Sequence, residues 1–128
     1  MDFVLIDTDV LIDYSHGFQR AKDALIKLER KHRLAISVIT QLELMMGCQN
    51  RREFSQLQEF IKLFHVIKLN ELQSSEVVHL FESYRLSHGV SIPDMLIAAT
   101  AKTMKVSLYS KNSKDFQFIR GLKFLPHN

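Results

Sequence analysis

Four acidic residues stand where carboxylate chemistry is possible, far apart in the chain. Asp7 follows an apolar run directly in "VLIDTDVLIDY", with Asp9 two positions on and Asp13 four beyond that. Glu43 lies inside "ITQLELMMG" between Leu42 and Leu44, Asp94 near the start of "IPDMLIAATA", and Asp115 in "LYSKNSKDF". Such groups act as nucleophiles, as general bases, or as ligands for hard cations. Four carboxylates gathered in one crevice repel one another, each pair by about 4 kcal/mol at about 4 Å in an effective dielectric near about 20. A divalent cation such as Mg²⁺ or Mn²⁺ offsets that repulsion with all-oxygen ligands. It would also activate water and neutralise charge developing on a phosphoryl group, so the expected reaction is hydrolysis of a phosphate ester.

Each residue also has a plainer explanation. An acid in a first helical turn, as expected for Asp94, complements the helix dipole. Asp115 or Asn112 suits a turn cap in "NSKDF". Glu43 differs, because an acid in a stretch with few other charges needs a partner or a metal. Only the set together argues for a site.

The elements that must position these acids follow from periodicity. Phe3 to Ile6 is continuously apolar and reads as a strand buried on both faces. Residues 35–37, 65–69, 106–109 and 122–125 are further short strand candidates. Helical spacing of apolar residues predicts helices over 19–31, 52–64 and about 72–86, the last with Ser74 or Asn70 as its cap. "VITQLELMMG" predicts a short helix stopping at Gly47, and "SIPDMLIAATAKTM" one capped by Ser91 with Pro93 at its first position. The alternation implies a three-layer α/β/α sandwich around a mainly parallel sheet of about five strands. In such folds ligands bind at the carboxyl ends of the strands, where strand order reverses. Asp7, Glu43, Asp94 and Asp115 are all expected near that edge.

The 128-residue chain has the size of one domain, and no linker, repeat or low-complexity tract divides residues 1–128. No apolar run approaches the roughly 20 residues that span a bilayer. "MDFVLI" lacks the basic leader of a signal peptide, so the expected compartment is the cytoplasm. Cys48 is the lone cysteine and reads as a packing residue. The net charge of +3 suits a polyanionic partner without requiring one.

"LIDTDVLIDY", "ISVITQLELMMG", "IPDMLIAATA" and "LYSKNSKDF" resemble the four sequence blocks of the PIN-domain ribonucleases, and most of all the VapC-type toxins of toxin–antitoxin pairs. The blocks arrive in the family's order and span Phe3 to about Leu125. The resemblance implies that Asp7, Glu43, Asp94 and Asp115 hold Mg²⁺ or Mn²⁺ and form the catalytic set. Thr8, Asp9, Ser110 and Asn112 would support them, while Asp13 matches no family acid and is expected to be structural. The last block departs from the family's more usual threonine followed by Asn-Asp or Arg-Asn, with Ser110, Lys111 and Asn112 in its place. An RNA substrate, a cognate antitoxin protein and a homodimer are also implied, with Lys111 and Lys114 as candidate phosphate contacts.

Two other readings stay open on the sequence. A strand followed by Asp-x-Asp also opens haloacid-dehalogenase-type phosphatases, with Asp7 as nucleophile. Leu11 stands where those enzymes carry Thr or Val, and no late acidic pair follows. A non-catalytic PIN-like binding module is the third reading.

Overall fold

In the computed structural model, which describes residues 2–127, five parallel strands form one sheet flanked by helices on both faces. The chain runs β1 (Phe3–Ile6), α1 (Thr8–Ser15), α2 (Gln19–Glu29), β2 (Arg33–Ser37), α3 (Val38–Met46), α4 (Arg51–Ile61) and β3 (His65–Ile67). It continues through α5 (Glu71–His88), α6 (Ile92–Met104), β4 (Ser107–Ser110), α7 (Ser113–Phe116) and β5 (Phe124–Pro126). The strand order is β3-β2-β1-β4-β5. From β1 the chain winds outward through β2 and β3, then returns to place β4 on the other side of β1. The reversal of direction therefore falls between β1 and β4.

The unbroken apolar run of β1 is explained by its position at the centre of the sheet. Leu5 enters the core shared with Met95, Ile97, Ala98, Leu108 and Phe116, while Val4 and Ile6 enter the opposite core with Val10, Leu11, Leu25 and Ile36. Alternate side chains point to opposite faces, and both faces are covered, so every position must be apolar. The small residues Ala98, Ala99 and Ala101 of α6 are fully buried and allow close approach to the sheet.

Helix ends follow their local chemistry. Asn70, rather than Ser74, caps α5: its side chain accepts from Gln73 N–H while the Gln73 side chain accepts from Asn70 N–H, a reciprocal capping box. Gly89 then ends α5 in the left-handed region at φ 64°, where a Cβ would be strained. Ser91 caps α6 by accepting from Asp94 N–H at 3.2 Å. Pro93 occupies the second helical position, not the first, because α6 begins at Ile92. Gly47 stops α3, and Cys48 is half-buried with its Sγ 3.7 Å from Leu44 O.

Three differences from the sequence expectations matter. The segment after β1 forms helix α1, which the sequence expectations did not include. The edge strand β5 lies at 124–126 instead of 122–125, and β3 ends at Ile67. The second helix stops at Glu29 and the fourth runs over Arg51–Ile61. No helix among the described residues is long and apolar enough to cross a membrane.

Candidate active site

The carboxyl ends of β1 and β4 lie side by side because Asp7 N–H extends the ladder by donating to Tyr109 O at 2.9 Å. Asp7 is thereby the last residue of the strand path and the N-cap of α1. Its Oδ1 accepts from Thr8 N–H at 2.9 Å, and its Oδ2 accepts from the Ser110 hydroxyl at 2.7 Å. Ser110 is itself fixed, since its Oγ accepts from Asn112 N–H at 2.9 Å and its side chain is wholly buried. Both Asp7 oxygens are therefore oriented by donors on two different strand ends.

Burial has an electrical consequence. Asp7 is 3% exposed, and its carboxyl is raised from 3.8 to about 7. Desolvation is the main cause; the Ser110 hydrogen bond opposes it, and the charges of Asp9 and Asp94 add to it. Asp94 is raised too, by desolvation first, then by the charge of Asp115 and more weakly by those of Asp9 and Glu43, with the Ser91 hydrogen bond opposing. Five acids from α1, α3, α6, α7 and the end of β1 thus lie within electrostatic reach of one another.

Glu43 is held by a threonine pair. The Thr8 hydroxyl donates to Glu43 Oε1 at 2.7 Å and lies 2.8 Å from Thr40 Oγ1. A hydroxyl has one hydrogen, so the Thr40 hydroxyl donates to Thr8 and the chain of donation runs Thr40 to Thr8 to Glu43. Thr40 is fully buried and sits one helical turn before Glu43 on α3. Sequence reasoning missed it; its spacing of three from Glu43 on a short helix was the available signal.

Asn112 closes the other side by donating from Nδ2 to Asp9 Oδ2. It stands at the N-cap position of α7 but makes no side-chain cap there, so the turn role is replaced by a tie to Asp9. Asp115 is exposed in the first turn of α7 and is not the turn's cap either. Asp13 lies outside the set: it accepts from Lys111 Nζ at 2.8 Å. That ion pair corrects the expectation for Lys111, whose charge is directed at Asp13. Lys114 is exposed.

An all-oxygen donor set suits a hard cation. Among the described residues, however, no group of three Asp, Glu, His or Cys side chains is arranged to hold a metal ion. The electrostatic proximity and the lack of a closed triad are compatible. Glu43 and Asp9 each engage one oxygen with a protein donor, and Mg²⁺ characteristically keeps several of its waters. Each carboxylate still offers further lone pairs, so the residues present fit an ion bound partly through water. A separate groove of about 740 Å³ lies between α2 and the ends of β4 and β5, and none of these five acids lines it.

Over this parallel sheet with acids gathered at its switch point, the PIN domain model matches residues 4–121. The chain therefore belongs to the PIN-domain family. Within it, the chain is similar to Ribonuclease VapC10 of Mycobacterium tuberculosis, at 33% identity over 94% of this chain and 90% of that protein. It is equally similar to Ribonuclease VapC1 of Methanocaldococcus jannaschii, at 33% identity over 94% of this chain and 85% of that protein. A chain of the toxin–antitoxin complex from Klebsiella pneumoniae superposes with a TM-score of 0.80 at 30% identity, over 98% of both chains. Family membership sets aside the haloacid-dehalogenase reading of Asp7 as a nucleophile.

Proposed function

We propose that this chain, a single PIN domain over residues 1–128, is a Mg²⁺- or Mn²⁺-dependent endoribonuclease acting in the cytoplasm as the toxin of a toxin–antitoxin pair. The observation that carries this is the gathering of Asp7, Asp9, Glu43, Asp94 and Asp115 at the carboxyl edge of β1 and β4, with Asp7 raised to about 7. The similarity to proteins named VapC ribonucleases supplies the substrate class, and the similarity to a toxin–antitoxin complex supplies the partner. A homodimer is part of the same reading.

Asp7, Glu43, Asp94 and Asp115 would hold the cation, directly or through water. When bound, it supplies a strongly polarised water and positive charge opposite the phosphodiester. The remaining work belongs to the chain's own groups. Ser110 and Thr8 N–H fix the plane of the Asp7 carboxylate, and the Thr40–Thr8 pair fixes Glu43. Asn112 keeps Asp9 in reach of Asp7. No covalent enzyme intermediate is needed, because hydrolysis by water leaves no role for a side-chain nucleophile.

The test is RNA cleavage with Mg²⁺ by Asp7→Asn and Asp94→Asn proteins shown to be folded by circular dichroism. Loss of cleavage in both, with wild-type activity abolished by a chelator, is the expected result. Wild-type rates in either variant would remove the mechanism. RNA cleavage by the wild type that survives complete removal of divalent ions would remove the metal.

A further inference from the structure

We infer that the groove beside α2 is a binding track for single-stranded RNA on one side of the cleaved bond, with Arg20, Lys27 and Lys31 contacting backbone phosphates. This rests on the ribonuclease reading above. The groove lies outside the acid cluster, and neither the family resemblance nor the acid set assigns it a role. Its floor includes Leu28, Tyr109 and Leu125, and the three cations line it against one acid, Asp23. Residues 20, 27 and 31 are separated by seven and four positions. At about 100° per residue they fall within about 20° of one line along the helix and the turn that continues it. Among the described residues none of the three cations is in an ion pair.

Continuity with the acid edge argues for nucleic acid as the occupant. Tyr109 and Pro126 line the end of the groove, and the next residue after Tyr109 is Ser110, whose hydroxyl holds Asp7. His127 N–H donates to Ser110 O at 2.9 Å, and Arg20 reaches His127 O at 3.3 Å, so Arg20 stands at the junction of groove and site. A strand with one phosphate at the acid cluster meets a cluster of negative charge there. Its neighbouring phosphates need cations, and Lys111, close in sequence to Ser110, is paired with Asp13. Arg20, Lys27 and Lys31 supply the required charge along a continuous path.

The test compares wild type with Lys27→Gln/Lys31→Gln and with the charge-keeping Lys27→Arg/Lys31→Arg, each checked by circular dichroism. Binding of a fluorescein-labelled single-stranded RNA is followed by anisotropy without divalent ions between about 50 and about 200 mM salt, and kcat and KM are measured with Mg²⁺. Each phosphate contact on a single strand contributes about 0.7 to the slope of log affinity against log salt. The Gln double variant should therefore show a slope shallower by about 1.4, so that across this fourfold salt range wild-type affinity falls about seven-fold more than the variant's. KM should rise with kcat unchanged, and the Arg variant should match wild type. Equal slopes and equal KM in wild type and Gln variant would overturn the track. So would binding of polyglutamate that depends on Lys27 and Lys31 while RNA binding does not. If wild type cleaves no RNA but the slope still flattens in the Gln variant, the track stands and the ribonuclease reading falls.

Discussion

Replacing Asp7 by Asn should stabilise the metal-free protein, and the amount should depend on pH. In the folded protein the Asp7 carboxyl titrates near about 7, against 3.8 for the ordinary group. Below both values the group is protonated in folded and unfolded chains alike, and pH has no effect through it. Between them the folded protein keeps a proton that the unfolded chain has released, so raising the pH favours unfolding by about 1.36 kcal/mol per unit. Above about 7 both forms are ionised and the loss is complete. From pH 5 to pH 8 about two units of this window are crossed, so metal-free wild type should lose roughly 2–3 kcal/mol through Asp7. Asp7→Asn cannot titrate there, so its stability relative to wild type should rise by that amount. Urea unfolding at both pH values with a chelator present reads the difference directly. At pH 8 Mg²⁺ should stabilise wild type by about 2.7 kcal/mol when free metal is about 100 times its dissociation constant, and the variant by less. A gap between the two proteins that is the same at pH 5 and pH 8, or that narrows with pH, would refute the burial argument.

Further outcomes follow from single contacts. Thr8→Val removes the link between Thr40 and Glu43 and leaves a buried hydroxyl without its acceptor, so it should cost about 1–3 kcal/mol in urea unfolding. The same variant should raise the Mg²⁺ concentration for half-maximal cleavage about 10- to 100-fold, as loss of an orienting partner does at metal sites. Asp13→Ala removes the partly exposed pair with Lys111, which should change stability by less than about 1 kcal/mol and leave kcat within a few-fold of wild type. Gly89→Ala meets no atom within 4 Å of its new Cβ but forces a left-handed alanine, so thermal unfolding should show a loss of about 1 kcal/mol with cleavage unchanged.

How far the sequence revealed this arrangement differs from residue to residue, for physical reasons. Phe3 to Ile6 was readable because a central parallel strand must be apolar on both faces, and that leaves an unbroken run. The edge strands β3 and β5 have three residues each, too few to show a period, and their limits shifted by up to two residues. Helix α1 was hidden because it is short, its first turn carries Asp9 of the site and its N-cap is Asp7 itself. What reads locally as a polar turn is a helix start whose cap has been given a second task.

The acids and their supports were legible in unequal degree for a related reason. Acids stand out in an apolar context, as Glu43 does between Leu42 and Leu44, and their recurrence after strands carries information about where they meet. Hydroxyl donors do not stand out, because Thr and Ser occur in every kind of element. Thr40 acts only through Thr8, thirty-two positions away, and Ser110 acts on Asp7 across 103 positions. Lys111 shows the same limit from the opposite side. As a cation next to Ser110 it invited a phosphate, yet the fold brings Asp13 to it across 98 positions and satisfies the charge within the protein. That pairing gives Lys111 an internal partner and agrees with the structural role expected of Asp13. Asp13 is an acid of "VLIDTDVLIDY" engaged outside the cluster, while Arg20, Lys27 and Lys31 of α2 and the turn that follows it, like the exposed Lys114, are in no ion pair among the described residues.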